Sequence, residues 1–181
     1  MPAIPYKPAL YEKTHALGTV FYEIQQFCKC AMRLHSNPRL DQHLKNAVLE
    51  SMLLHVRVLQ DFFERGSRTQ RNHQELDDVL CSDFGFPTND LGLSDGIRNR
   101  VNREVAYLSY GRALRVSTED KNWEFAGFLP LILRCIEFVV SRSKDELQQL
   151  QEYRARNVMV PISWDGLGQD LTELKEKLQA S

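Results

Sequence analysis

The sequence predicts an all-α protein, an up-down four-helix bundle with an ordered loop between helices two and three and a short C-terminal helix. Four long segments repeat apolar residues every three or four positions, as the buried faces of amphipathic helices do. Runs of alternating apolar and polar residues, which would indicate strands, are absent. Short connections between the first two and the last two segments favour antiparallel neighbours. A chain of 181 residues suffices for one core, so residues 1–181 are expected to form a single domain.

The first helix is predicted over residues 9–35, after an extended lead-in at residues 1–8. The lead-in contains three prolines and lacks the apolar stretch of a signal peptide. The helix carries an apolar stripe that would face the core. The members of that stripe are Leu17, Val20, Phe21, Ile24, Phe27, Cys28 and Ala31.

The second helix is expected to begin at Pro38 and to end near Arg65. Ser36 or Asn37 is the expected N-cap, because proline is favoured at the first helical position after such a cap. Gly66 then provides a C-terminal stop. The residues expected to face inward are Leu44, Val48, Met52, His55, Val56, Leu59, Phe62 and Phe63.

Residues 67–92 interrupt the helical pattern and are predicted to form an ordered loop. The stretch QELDDVL is compatible with one or two helical turns, whereas SDFGFPTNDLG is typical of a loop. Phe84 and Phe86 are expected to pin this loop to the bundle, because two large apolar rings seldom lie in a loose linker.

The third helix is predicted to begin after the cap residue Ser94. Arg112 interrupts its apolar stripe, which resumes before the helix ends. The apolar residues of the stripe are Ile97, Val101, Val105, Leu108, Ala113 and Val116.

A fourth long helix is expected from about Trp123 to Tyr153, with Pro130 either in its first turns or at a kink. Residues 157–164 are expected to be extended, and DLTELKEKLQA to close the chain as a short helix. Residues 157–181 are therefore interpreted as a C-terminal extension of the bundle.

The balance of charged residues limits the classes of function that the sequence allows. Lys+Arg number 23 against 24 for Asp+Glu, which leaves a formal net charge of −1. A protein that coats nucleic acid would need a basic excess to release phosphate counterions. A local basic patch is still compatible with these numbers, and residues 98–115 are where it is expected.

The cysteines and the most apolar segment indicate a cytoplasmic protein without a membrane span. None of the four cysteines forms a C-x-x-C pair, which favours reduced, buried thiols. Residues 125–140 are apolar, but they are too few to cross a bilayer and include charged residues.

No metal site and no cofactor are predicted. Glu12 and His15 have the i, i+3 spacing of carboxylate-bridged metal sites, but such sites need one copy on each of two helices and only one copy occurs. The last histidine is His73, so no histidine pair exists late in the chain. Glycine patterns that cradle phosphate are also missing.

The strongest candidate for a functional site is RNRVNREVAYLSYGR, residues 98–112. On a helix, Arg100 and Tyr107 share one face. The guanidinium fork binds phosphate oxygens bidentately, so a row of arginines suits phosphate recognition. The alternative is a solvated face with ion pairs along the helix. The predicted binding residues are Arg98, Asn102 and Arg103.

His55 is a further candidate, because it lies on the core stripe of the second helix. One interpretation is a partly buried histidine bonded to another helix, since buried titratable groups are often structural. The other is that the imidazole faces the third helix and takes part in chemistry.

The chain resembles the HEPN (higher eukaryotes and prokaryotes nucleotide-binding) superfamily in three features. These are the four-helix plan, the stretch NAVLESMLLHVRVLQDFF on helix two and the stretch RNRVNREVAYLSYGR on helix three. The resemblance covers most of residues 15–150 and is to the abortive-infection type and to uncharacterised bacterial members. Members with RNase activity carry Arg, four to six residues, then His, and two such motifs meet at a dimer interface to cut RNA without metal. Here six residues separate Arg100 from Tyr107, so the spacing fits and the histidine is replaced.

The resemblance implies a homodimer that binds RNA or a nucleotide through the arginine-rich face of helix three, with degenerate or no nuclease activity. Tyrosine has an ordinary pKa near ~10 and is a poor base at neutral pH. One alternative is an active metal-independent ribonuclease, with Arg100, Tyr107 and His55 as catalytic candidates. Another is a non-catalytic interaction module.

Overall fold

The structure is a computed structural model that describes residues 5–37, 39–71, 74–101, 123–157 and 164–180. Helices dominate the described residues, and the all-α prediction is confirmed. The helices are α1 (Leu10–Ser36), α2 (Gln42–Glu64), α3 (Asp95–Arg100), α4 (Leu129–Val140), α5 (Lys144–Arg156) and α6 (Trp164–Gln179). The remaining elements are a two-residue antiparallel pair, β1 (Gln70–Arg71) with β2 (Gln74–Glu75), and the 3-10 turns Cys81–Phe84 and Phe125–Phe128.

Helix α1 is the element against which α2, α5 and α6 pack. Its apolar stripe is buried as predicted. Glu23 of α1 bonds to His55 of α2, and Cys30 bonds to Ser51, so the two helices run antiparallel. Within the described ranges, no helix is both long and apolar enough to cross a membrane.

The centre of the core is the ring of Phe138 on α4. It is fully buried and meets five other phenylalanine rings at centroid distances of 5.2 to 6.2 Å, mostly edge to face. Such edge-to-face contacts add stabilisation beyond the burial of area. The five rings belong to α1, α2 and the loop: Phe21, Phe62, Phe63, Phe84 and Phe86.

Two arginines hold the loop between α2 and α3 against the core. The Arg134 guanidinium lies 4.1 Å from the centroid of the Phe86 ring and donates to the Pro87 carbonyl. The Arg142 guanidinium lies 4.5 Å from the centroid of Phe138, and its Nη1 donates to the Phe84 carbonyl at 2.9 Å. The prediction that Phe84 and Phe86 pin this loop to the bundle is confirmed.

The expected fourth long helix is instead two helices, α4 and α5, separated at residues 141–143. Ser143 caps α5: its hydroxyl accepts from the Glu146 amide at 3.1 Å, and the Glu146 carboxylate accepts from the Ser143 amide at 2.9 Å. This reciprocal capping starts a new helix in place of a continuation. Pro130 lies in the first turn of α4, where a missing amide hydrogen costs nothing, so it causes no kink.

The start of α2 also differs from the prediction. The helix begins at Gln42, and its cap is Asp41, whose carboxylate accepts from the amides of His43 and Leu44 at 2.9 and 3.3 Å. An anionic cap complements the positive end of the helix dipole, which a serine or asparagine cap does not. Leu44 is consequently in the exposed first turn and not inward, while Pro38 lies outside the described residues.

Two further segments correct the sequence-based prediction. Within QELDDVL, the first two residues belong to the short antiparallel pair and the other five have no regular secondary structure, so the stretch forms no helical turn. The C-terminal helix begins at Trp164, and four of its leucines, spaced i, i+4, i+7 and i+11, are buried in the common core, so it is not a mere extension. Burial of these side chains outweighs the low helix propensity of the glycines at its start. The leucines are Leu167, Leu171, Leu174 and Leu178.

Leu171→Ala should lower the free energy of unfolding by about 2–5 kcal/mol, because it leaves a cavity among fully buried side chains. Urea denaturation followed by circular dichroism measures this change. Glu176→Ala, on the exposed face of the same helix, is the control and should change it by less than ~0.5 kcal/mol. Equal, small effects of both variants would show that α6 does not share the cooperative core.

Candidate functional site

The predicted site residues are only partly covered by the structure. Arg98 and His55 are described, and Arg100 is the last residue of α3. Asn102, Arg103 and Tyr107 lie outside the described residues. The predictions made for these three residues stay predictions.

Helix α3 begins where the sequence predicts it. The Ser94 hydroxyl accepts from the Ile97 amide at 3.3 Å and caps the helix. Val101 is completely buried, in agreement with the expected apolar stripe. Gly127 lies directly against Ile97, because a Cβ at that glycine would stand 2.3 Å from the Ile97 Cδ1. The first turn of α3 is therefore fixed against the segment that precedes α4.

Arg98 anchors α3 to the end of α2. Its Nη1 and Nη2 donate to the two carboxylate oxygens of Glu64 at 2.5 and 2.7 Å, and its Nε donates to the Leu93 carbonyl at 2.9 Å. Asp90 also pairs with it, and Glu64 accepts from the Leu91 amide at 2.8 Å. The Glu64 hydrogen bond raises the pKa of the Arg98 guanidinium. A ligand phosphate could bind these guanidinium donors of Arg98 only by displacing the Glu64 carboxylate. The contact of Arg98 with a ligand therefore stays a prediction.

His55 is bonded to another helix, as one of its two interpretations expects. Its Nδ1 lies 2.6 Å from Oε2 of Glu23, and both side chains are mostly buried, with 15% and 16% of their surface exposed. The ring of Tyr22 meets the imidazole edge-on at a centroid distance of 6.2 Å. The pair joins the outer surfaces of α1 and α2.

A pocket of ≈ 390 Å³ lies between the lead-in, the start of α1 and the loop. Arg68 pairs with Asp83 at 2.5 Å and stacks on Tyr6 at 5.3 Å from the ring centroid. The Tyr6 hydroxyl donates to Glu12 at 3.0 Å, and this bond to a carboxylate raises the pKa of the phenol. Most polar groups of the pocket thus bind one another. Its acidic residues, which outnumber its lysine and arginine, are Glu12, Asp77, Asp78 and Asp83.

A groove runs between the outer surfaces of α1 and α5, which we call the α1–α5 groove. It contains two cavities of ≈ 170 and ≈ 700 Å³ that share Tyr153. The Tyr153 hydroxyl lies 2.9 Å from Nδ1 of His15, and the rings meet edge-on at 5.6 Å. A Cβ at Gly18 would stand 3.2 Å from the Leu150 Cδ1, so the two helices are in close contact there.

Sequence reasoning missed both the pocket and the groove. The pocket depends on contacts between residues about 70 positions apart, such as Lys13 with the Asp83 carbonyl at 2.9 Å. The groove did leave a signal, because Tyr11, His15, Gly18 and Tyr22 follow the spacing i, i+4, i+7 and i+11 that defines one helix face.

Two of the four thiols, those of Cys28 and Cys135, are poor nucleophiles. Cys28, Cys81 and Cys135 are buried, and all four cysteines are free. Burial raises the pKa of Cys28 to about 12 and that of Cys135 further still, so both stay protonated at neutral pH. Among the described residues, no cluster of three or more His, Cys, Asp or Glu side chains has the arrangement of a metal site.

Replacing Glu64 or Arg98 by glutamine should lower the free energy of unfolding by about 1–3 kcal/mol, because each removes the two-point ion pair and leaves a partly buried charge less well neutralised. The double variant Glu64→Gln/Arg98→Gln should cost less than the sum, since the second change removes the charge left unpaired. Additive losses in urea denaturation would contradict the proposed anchor.

The anchor should also weaken in acid. The pKa of Asp90 is held below its usual value, chiefly by the hydrogen bond from the Gly92 amide. A folded pKa below the unfolded one gives stabilisation that is present above pH ~4 and is lost as the pH falls through the folded pKa. Asp90→Asn should therefore reduce the acid sensitivity of the thermal midpoint, and an unchanged pH profile would count against this contribution.

Comparison with known proteins adds no relative. No family model matches this chain, and neither a curated protein nor a solved structure does. The resemblance to the HEPN superfamily therefore depends on the helix-three pattern and the helical plan alone.

Proposed function

We propose that this chain is a HEPN-like, up-down four-helix bundle of the cytoplasm. It binds RNA or a nucleotide as a homodimer, through the arginine-rich face of helix three, and cleaves RNA inefficiently or not at all. The observation that carries the proposal is the row of arginines in the sequence of residues 98–112, where the spacing of Arg100 and Tyr107 is that of two residues on one face of a helix.

The anchored start of α3 supports a binding role for the residues that follow. Ser94 caps the helix, and Arg98 clamps it to Glu64 of α2. A helix fixed at its first turn loses less conformational entropy when its later side chains order on a ligand. Arg98 serves as the fixed point in this arrangement, and Arg100 and Arg103 supply the charge for phosphate.

The replaced histidine supports binding without efficient cleavage. A metal-independent ribonuclease needs a group that accepts and donates protons near neutral pH, as an imidazole does. Tyr107 stands in the motif position and lacks that property.

A second candidate function is a ribonuclease that uses His55. The observation that favours it is the Glu23–His55 pair, since a carboxylate that orients an imidazole is a common arrangement in general base catalysis. The mostly buried position of the pair and its place between α1 and α2 favour a structural role instead.

Binding of a short fluorescein-labelled RNA, measured by fluorescence anisotropy, tests the main proposal. Arg100→Ala should weaken binding about tenfold, the effect of losing one charge-assisted hydrogen bond, and should lower the salt slope by about 0.7. Arg39→Ala, at an exposed arginine before α2, is the matched control and should bind like the wild type. Equal binding by Arg100→Ala and the wild type would refute the proposed site.

Incubation of metal-free protein with total RNA separates the two candidates. The main proposal expects no more degradation by the wild type than by Arg100→Ala or His55→Gln. Degradation that disappears in His55→Gln, with the fold intact by circular dichroism, would establish the ribonuclease.

A further inference from the structure

We infer that the α1–α5 groove is a second contact surface, one that binds single-stranded RNA by stacking bases on tyrosine rings beside cationic side chains. The inference rests on the proposed function, because it concerns the same class of ligand at a different place on the molecule. It depends on described residues only.

Aromatic side chains line the groove along its whole length. Tyr11 and Tyr22 lie on α1 with 68% and 49% of their surface exposed, and Tyr153 lies between them on α5. Exposed aromatic rings cost free energy in water, and rings spaced along a groove are what single-stranded nucleic acids use as stacking platforms. Each base has a π-face, so such contacts do not depend on sequence.

The length of the groove fits a short strand. Eleven residues separate Tyr11 from Tyr22 on α1, which corresponds to roughly 16 Å of helix. Stacked nucleotides are separated by about 3.4 Å along a strand, so the groove has room for about four or five of them.

Cationic groups stand beside the rings. Arg156, at the end of α5, is exposed and lines the larger cavity, and Arg154 lines the smaller one. The Arg154 Nη1 lies 3.5 Å from where a Cβ of Gly18 would stand, so its guanidinium reaches across to α1. Basic residues in a last turn also stabilise the helix C-terminus, but that role would not require the two tyrosines on the facing surface of α1.

The described lining of the two cavities contains no aspartate or glutamate. Glu152, a neighbour on α5, is hydrogen-bonded to Gln148 at 3.1 Å. The acidic pocket shares Tyr11, His15 and Tyr153 with the groove, and its Glu12 and Asp77 would repel phosphate there. Arg154 and Arg156 favour an anionic strand over a basic peptide within the two cavities of the groove.

Gly18 sets the floor of the groove. A Cβ there would press on Leu150, which is completely buried beneath the rings. The missing side chain lets α5 lie close to α1 and keeps the space between Tyr22, His15 and Tyr153 open.

Tyrosine substitutions at an exposed position give a matched test. Tyr11→Phe keeps the ring, and Tyr11→Leu removes it while preserving apolar bulk. With a short fluorescein-labelled oligouridine, Tyr11→Leu should bind about tenfold more weakly, the effect of losing one stacked base, whereas Tyr11→Phe should stay within about twofold of the wild type. Arg156→Gln should lower the salt slope by about 0.7, and Arg39→Gln should not change it.

The results separate this inference from the proposed function. Equal binding by Tyr11→Leu and Tyr11→Phe overturns the inference that the groove binds RNA by stacking. Polyphosphate has no bases, so the inference is also overturned if polyphosphate competes as effectively as unlabelled RNA. If Arg100→Ala weakens binding and the groove variants do not, the proposed function stands without the groove. If the groove variants alone weaken binding, the groove stands and the helix-three site fails. Absence of wild-type binding at low salt overturns both.

Discussion

The packing of five phenylalanine rings around Phe138 is the constraint on which the other contacts of the molecule depend. It joins α1, α2, α4 and the loop at one point, and the ring at its centre is inaccessible to water. The Arg142 guanidinium covers this cluster while it binds a loop carbonyl, and burial lowers the pKa of that guanidinium. Contacts with the core thus position the loop. The loop in turn places Asp90 beside Arg98 and Leu91 beside Glu64, the two residues that anchor α3.

Helix α1 has two faces of different composition. One face is an unbroken apolar stripe from Leu17 to Leu34 that contacts the core. Another carries Tyr11, His15 and Tyr22, which remain accessible beside α5. Because a rigid, centrally packed helix carries these polar and aromatic side chains, their spacing is fixed before any ligand arrives, and the entropic cost of binding is lower than on a loop.

The sequence was sufficient for features that depend on local periodicity, and insufficient for those that depend on distant pairs. The stripe of α1, the cap at Ser94 and the buried loop phenylalanines follow from spacing and residue type. The capping box of Ser143 and Glu146 can also be recognised in the sequence, but the apolar run before it favours one continuous helix. The partners of Arg98 and His55 lie 34 and 32 positions away, so which carboxylate neutralises or orients each could be known only after α1, α2 and α3 were placed.

Gly18 has a consequence for how this chain would change over evolutionary time. The three tyrosines of the groove tolerate exchange for other aromatic residues, since any ring preserves the flat surface. The glycine is more constrained, because a Cβ there would stand 3.2 Å from the Leu150 Cδ1, which would have to shift to make room. Descendants that retain the groove should therefore preserve the pattern aromatic-x3-His-x2-Gly-x3-aromatic in their first helix, with the glycine as its least variable member.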